Sequence, residues 1–133
     1  MKVIIFGANG FVGQWLVKAL QKEQQQFLAS DLSAEPFENG IPYMQVDIRD
    51  KGQLAGVPIE KDDIVVNLAA NQYHTKVPRK NRKEYIFNTN TVGAENILAA
   101  AFEKGCKNAI QFTTDMTYGK PQYLPVDTCH PQN

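Results

Sequence analysis

The amino-acid sequence predicts an α/β fold, in which a doubly wound parallel sheet carries helices on both faces and forms three layers. Short apolar, β-branched runs alternate with segments of helical periodicity, and this order implies parallel strands joined by right-handed crossovers. The chain has 133 residues, the length of one domain, and 43% of them are hydrophobic, which is enough for a core. We therefore expect residues 1–133 to form a single domain.

The first elements are predicted from runs of apolar residues. Val3–Phe6 is continuously apolar, which is typical of a strand buried on both faces of a parallel sheet. From Phe11 to Gln25, apolar residues recur at three- and four-residue steps and indicate a helix. Four further strands are expected at residues 27–31, 43–47, 63–68 and 108–112, with a short helix at 50–55.

A long helix is predicted over residues 81–104, before the last of these strands. Gly105 is expected to end it, as a glycine does at many helix C-termini. The residues of this helix expected in the core are Tyr85, Val92, Ile97, Leu98 and Ala101. Residues 119–133 contain several prolines and no periodicity, so they are predicted to be a loop.

Composition argues against several classes of function. Lys plus Arg and Asp plus Glu balance at 14 each, so neither nucleic acid nor an anionic membrane is expected as a partner. No apolar run reaches the roughly 18 residues that span a bilayer. Cys106 and Cys129 lack metal-binding spacing and are typical of free thiols in a reducing compartment. We therefore expect a cytoplasmic protein without a metal site.

The turn after the first strand carries the strongest motif. The pattern Gly7-x-x-Gly10-x-x-Gly13 lies between a strand and a helix, as in a Rossmann-type dinucleotide-binding unit. Glycines permit a tight turn and a close approach of backbone to pyrophosphate, while the helix N-terminus offers unpaired N–H groups. The cofactor-binding residues predicted in this loop are Gly7, Asn9, Gly10, Phe11, Val12 and Gly13. The alternative is that the glycines serve only the turn.

Asp31, at the end of the second predicted strand, is the expected partner of the adenosine ribose. A carboxylate accepts hydrogen bonds from the 2′- and 3′-hydroxyls and repels a 2′-phosphate. No arginine directly follows Asp31, so NAD is favoured over NADP. The alternative is a solvated aspartate at a strand end.

Four stretches in order identify a family. They are GANGFVG at 7–13, NLAA at 67–70, NTNTVG at 88–93 and TTDMTYG at 113–119. With them the chain resembles the extended short-chain dehydrogenase/reductase family, the NAD-dependent epimerases and dehydratases of nucleotide sugars. The resemblance implies an NAD cofactor, a small-molecule substrate such as a nucleotide sugar, and a possible homodimer formed through the long helix.

The resemblance also implies roles for individual residues. Asp47 and Ile48 would lie at the adenine, and Leu68, Ala69 and Ala70 would line the cofactor. Asn90 would lie beside the cofactor near the catalytic centre. Thr114 would hydrogen-bond the reacting oxygen of the sugar, with Asp115 next to it as a catalytic acid.

Each of these roles has a structural alternative. Asp47 is alternatively a satisfied loop carboxylate, and Ala69 and Ala70 alternatively serve only strand-end packing. Asn90 is alternatively a cap or a bridge between elements, and the Thr114 hydroxyl alternatively bonds to backbone. His74, after the cofactor-lining loop, either faces the substrate or lies at the surface.

The family's catalytic Tyr-x-x-x-Lys pair is missing from the sequence. Tyr118 is followed by Lys120, which is the wrong spacing, and the chain ends at Asn133, about where the catalytic helix is expected. We therefore interpret the chain as an N-terminal portion of a longer enzyme that does not itself catalyse turnover. Dehydratases of the family carry Thr-Asp-Glu where this chain has Thr114, Asp115 and Met116. A thioether cannot take a proton, so dehydratase chemistry is disfavoured, and epimerase or simple dehydrogenase/reductase chemistry is favoured.

Two other functions compete with a nucleotide-sugar epimerase. A non-catalytic dinucleotide-binding module would also lack the Tyr and Lys pair. A reductase or dehydratase of the same family with another substrate would share the same cofactor half, because specificity resides in other parts of such enzymes.

Overall fold

The computed structural model describes residues 1–72 and 77–132. Within them, five parallel strands form one sheet in the order β3-β2-β1-β4-β5. The strands are β1 Val3–Phe6, β2 Phe27–Asp31, β3 Tyr43–Gln45, β4 Ile64–Asn67 and β5 Asn108–Gln111. The α-helices are α1 Phe11–Lys22, α2 Lys51–Ala55, α3 Arg82–Phe87 and α4 Ala94–Glu103.

The strand order explains where a site can form. The chain runs from β1 outward through β2 to β3, then returns to the other side of β1 with β4 and β5. The order therefore reverses between β1 and β4. In open parallel sheets, ligands bind outside the carboxyl ends of the strands at such a reversal. The predicted Rossmann-type doubly wound sheet is confirmed.

The core lies on both faces of the sheet. On one face, Ile4 and Val65 pack with Ile97 and Ala101 of α4. On the other face, Ile5 and Val66 belong to a cluster that includes Val17 of α1, which has no exposed surface. Successive residues of a strand point to opposite faces, so continuously apolar strands are what two covered faces require.

The long predicted helix differs from expectation in two ways. Residues Asn88–Gly93 form a π-helical turn that separates α3 from α4. Such turns often occur at functional sites. The prediction that Leu98 lies in the core is wrong, because its side chain is 41% exposed. The side of α4 that faces the sheet carries Ile97, Ala100 and Ala101. Leu98 directly follows Ile97, and because successive residues of a helix are rotated by about 100°, its side chain points away from this side.

Helix α1 also ends earlier than predicted, at Lys22, where Gln24 adopts a positive φ of 52°. Phe11 and Trp15, which contribute to its helical pattern, are 82% and 63% exposed. Gly105 has a φ of +77° after α4, and this confirms the glycine at the helix end.

No helix in residues 1–72 or 77–132 has both the length and the apolar character that crossing a bilayer demands.

A buried carboxylate supports the amino-terminal edge of the sheet. Asp63, 1% exposed, forms a 2.9 Å ion pair with the Lys2 ammonium. It also accepts hydrogen bonds from the backbone N–H groups of Lys2 and Glu60. Because Lys2 precedes β1 and Asp63 precedes β4, these bonds connect the starts of two neighbouring strands.

Candidate functional site

A cleft of about 190 Å³ opens at the carboxyl edge of the sheet, where the strand order reverses. Eight predicted site residues line it: Gly7, Gly10, Asp31, Asp47, Ile48, Leu68, Ala69 and Ala70. They come from the carboxyl end of β2 and from the turns after β1, β3 and β4. The fold thus brings together residues that lie far apart in sequence.

The glycine loop fits its neighbours only without side chains at two positions. Gly7 has a φ of +84°, and a Cβ there would lie 2.6 Å from the backbone nitrogen of Ala69. A Cβ at Gly13 would lie 2.3 Å from the carbonyl oxygen of Gly7. Both contacts are far shorter than van der Waals distance. Gly7 thus lets the loop approach the β4 turn, and Gly13 lets α1 approach the loop.

The N-terminus of α1 lies at this cleft through Gly10, its N-cap residue. In the part of the chain that the structure describes, no side chain caps this helix. Its first N–H groups therefore remain available to an anion, and the helix dipole favours negative charge there. Phe11 and Val12 begin the helix with exposed side chains outside the cleft lining, so their predicted cofactor contacts stay predictions.

Asp31 is held in place by the backbone. Its carboxylate accepts hydrogen bonds from the N–H of Asn9 at 3.0 Å and of Ser33 at 3.3 Å. The Asn9 side chain is engaged elsewhere, donating to the carbonyl of Glu35 and accepting from the N–H of Phe37. Asn9 therefore fixes the loop after β2, and a contact from its side chain to a cofactor stays a prediction.

Asp47 forms a bidentate ion pair that the sequence analysis missed. Arg49 donates from Nε at 2.8 Å and from Nη2 at 2.6 Å to the two carboxylate oxygens. These hydrogen bonds hold the pKa of the Asp47 carboxyl below its ordinary value. The guanidinium also lies over the ring of Tyr85 in α3, 5.0 Å from its centroid. Arg49 and Tyr85 both line the cleft.

We expect Arg49→Gln to raise the pKa of Asp47 toward its ordinary value, because the bidentate hydrogen bonds are lost. Stability should change by less than about 1 kcal/mol, since the pair is partly exposed. A carbon-detected NMR titration of the Asp47 carboxyl measures the shift. Lys51→Gln, at an exposed lysine nearby, is the control. An unchanged Asp47 pKa in Arg49→Gln would contradict this assignment.

Asn90 connects the π-helical turn to the loop after β4. Its side-chain oxygen accepts from the Asn71 N–H at 2.7 Å, and its side-chain nitrogen donates to the Asn71 carbonyl at 2.9 Å. The Asn71 side chain in turn donates to Thr89 at 2.7 Å. Asn71 and Thr89 line the cleft, whereas Asn90 does not. Asn90 thus bridges two elements, as in the structural alternative, and its cofactor contact stays a prediction.

Thr114 and Asp115 lie outside the cleft lining, on exposed chain after β5. The Thr114 hydroxyl accepts from the N–H of Met116 and lies 3.3 Å from an oxygen of Asp115. The structure therefore shows the hydroxyl bonded to backbone, and the proposed catalytic roles stay predictions. His74 lies outside the described residues.

Tyr85, Arg49 and Ser30 are among the cleft residues that the sequence did not predict for the site. Tyr85 was expected in the core but is half-buried at the cleft. Arg49 had a signal, since it follows Asp47 by two residues in a turn after a strand. Ser30 had one too, as the polar residue directly before Asp31 in an otherwise apolar strand.

Comparison with known proteins gives a consistent result. A model of the "NAD dependent epimerase/dehydratase family" matches residues 3–132. A UDP-N-acetylglucosamine 4,6-dehydratase (inverting) from Campylobacter jejuni is 32% identical, over 85% of this chain and 36% of that protein. A UDP-glucose 4-epimerase from Lactobacillus helveticus is 28% identical, over 100% of this chain and 41% of that protein.

Solved structures agree at the level of the fold. A crystal structure of UDP-glucose 4-epimerase superposes with a TM-score of 0.81 at 25% identity, covering 100% of this chain and 41% of that one. The enzyme WbmG from Bordetella bronchiseptica, crystallised with NAD and UDP, gives 0.77 at 25% identity, covering 98% and 43%. The chain thus spans less than half the length of these proteins.

Proposed function

Since this chain belongs to the NAD-dependent epimerase/dehydratase family, we propose that residues 1–133 are the NAD-binding domain of a nucleotide-sugar epimerase. The single observation that carries the proposal is the loop of residues 7–13 at the carboxyl edge of the sheet, called here the glycine cradle. Gly7 and Gly13 leave no room for a Cβ, and the N-terminus of α1 opens beside them. A pyrophosphate requires this combination of close backbone approach and unpaired N–H groups.

The two acidic residues of the cleft suit the adenosine half of the cofactor. Asp31, fixed by the N–H of Asn9, would accept hydrogen bonds from the ribose hydroxyls. Asp47, oriented by Arg49, would lie with Ile48 at the adenine. Ala69 and Ala70 would leave space beside the ribose and pyrophosphate, because their side chains are small.

NAD is the proposed form of the cofactor. Asp31 would repel the 2′-phosphate of NADP, since both groups are negatively charged. Arg49 is a cation in the same cleft, but its guanidinium is already paired bidentately with Asp47. It is therefore engaged by a carboxylate and poorly placed to compensate a 2′-phosphate.

Calorimetric titration of the chain with NAD and NADP tests this proposal. We expect NAD to bind at least tenfold more tightly, and Asp31→Ser to reduce that preference, because the repulsion of the 2′-phosphate is removed. Asp62→Asn, at an exposed carboxylate outside the cleft, is the control and should leave the preference unchanged. Tighter binding of NADP by the unaltered chain would overturn the assignment of NAD.

Bound NAD would supply an acceptor for a hydride and return it to the sugar. The Thr114 hydroxyl is the group of this chain proposed to hydrogen-bond the reacting sugar oxygen. The sequence contains no Tyr-x-x-x-Lys, so we expect the chain to bind NAD without turning over UDP-glucose. An enzyme-coupled assay for UDP-galactose checks this expectation.

A sugar 4,6-dehydratase is the second candidate, favoured by the 32% identity to the Campylobacter jejuni enzyme. Water elimination needs an acid and a base, and Met116 offers neither beside Asp115. Epimerisation therefore remains the proposal that the residues support better. Incubating a UDP-sugar with a longer protein that includes this chain would distinguish them. A C4 epimer as product would indicate an epimerase, and a 4-keto-6-deoxy sugar would indicate a dehydratase.

A further inference from the structure

Ser30 carries an unusual hydroxyl group. The residue is 0% exposed, and within residues 1–72 and 77–132 its Oγ is the one buried side-chain nitrogen or oxygen without a hydrogen-bond partner. The buried Asn67, Asn96 and His130 side chains all have partners. Buried polar groups are nearly always hydrogen-bonded, so an orphaned hydroxyl in a native fold calls for an explanation.

The position of Ser30 restricts what its partner can be. Ser30 lines the cleft beside Asp31, together with the apolar side chains of Phe6 and Val46. Neither of these can accept or donate a conventional hydrogen bond. No group within the described residues bonds this hydroxyl, and a molecule bound in the cleft could supply the missing partner.

The backbone of Ser30 is fixed to the glycine loop. Its carbonyl oxygen accepts hydrogen bonds from the N–H of Gly7 at 2.9 Å and of Ala8 at 3.0 Å. Its place in β2 is also set by pairing with Phe6 of β1. The strand and the loop thus fix the backbone from which the hydroxyl projects.

We propose that the Ser30 hydroxyl hydrogen-bonds the adenosine half of the dinucleotide at the floor of the cleft. The inference rests on the proposed function, because it takes the cleft to be the cofactor site. Adenosine presents ring nitrogens and ribose hydroxyls, and a serine hydroxyl can donate to either. Ser30 would then contribute to cofactor affinity at a cost to the stability of the free chain.

Ser30→Ala tests this inference, because it should raise the stability of the free chain and weaken its binding of the dinucleotide. Without ligand, we expect the thermal midpoint to rise by about 3 °C, since an unsatisfied buried hydroxyl is removed. NAD and ADP-ribose should both bind about fivefold more weakly, since one hydrogen bond is lost. Ser30→Thr keeps a hydroxyl and should bind NAD more tightly than Ser30→Ala. Thr128→Ala, which removes an exposed hydroxyl outside the cleft, should change neither quantity.

The outcomes separate this inference from the proposed function. Unchanged NAD affinity in Ser30→Ala, or a lower midpoint without ligand, would overturn the role of Ser30 while leaving NAD binding by the unaltered chain in place. Weaker NAD binding with unchanged ADP-ribose binding would overturn the adenosine assignment. If the unaltered chain bound neither ligand, the proposed function would fail and this inference with it.

Discussion

Gly13→Ala is expected to lower the free energy of unfolding by about 3 kcal/mol and to abolish measurable NAD binding. The added Cβ would lie 2.3 Å from the carbonyl oxygen of Gly7 and 2.7 Å from the Cα and carbonyl oxygen of Ala8. All three are backbone atoms of the loop and cannot rotate away as a side-chain end can. Helix α1 must therefore move away from the loop, which destroys the cradle and its packing. Urea denaturation and calorimetry measure the two effects.

Gly10→Ala is the matched control within the same loop. Its Cβ would meet a single atom, the carbonyl oxygen of Gly7, at 3.2 Å, and the residue has an ordinary φ of −69°. We expect a loss of stability below about 1 kcal/mol, with weakened NAD binding because Gly10 lines the cleft. Equal stability of the Gly13→Ala and Gly10→Ala proteins would contradict the steric account of Gly13.

Asp63→Asn is expected to destabilise the chain by about 2 to 3 kcal/mol at neutral pH. The substitution leaves the Lys2 ammonium, half of a 2.9 Å ion pair, facing an amide in a site where Asp63 is 1% exposed. It also weakens the acceptor for the N–H groups of Lys2 and Glu60, which connect the starts of β1 and β4. Asp62→Asn, at the exposed neighbour, should change stability by less than about 0.5 kcal/mol.

The contribution of Asp63 should depend on pH in a defined direction. Burial alone raises the pKa of its carboxyl, but hydrogen bonds from Lys2 and Glu60 outweigh this and leave the pKa below the ordinary value of 3.8. A lowered folded-state pKa means that the stabilisation is complete above 3.8 and is lost as pH falls through the folded-state pKa. The difference in unfolding free energy between the unaltered chain and Asp63→Asn should therefore shrink below pH 3.8. A difference that grows on acidification would contradict the assignment.

The sheet could be predicted because its strands carry a local signal. Val3–Phe6 is continuously apolar, and Ile64–Asn67 is apolar up to its last residue; the structure buries both strands between helices on both faces. The π-helical turn at Asn88–Gly93 had no such signal. It accompanies the bonds of Asn90 and Thr89 with Asn71, which is distant in sequence.

The parts of the site that could be predicted are those where the residue type alone indicates the role. Gly7 and Gly13 stand at fixed spacing after a strand, and the close approach they permit is a property of glycine itself. The contact of Arg49 with Tyr85 and the orphaned hydroxyl of Ser30 depend on how separate elements pack. Sequence spacing alone does not contain that information.

The most direct test of the glycine cradle is an NMR titration of the isotopically labelled chain with NAD. We expect the backbone amide signals of residues 7–13 to shift most, accompanied by those of Asp31, Asp47 and the turn after β4. Amides at the starts of β1 and β4, near Lys2 and Asp63, should stay in place. Saturable shifts confined to another surface, or no shifts at millimolar NAD, would contradict the assignment of this cleft as a dinucleotide site.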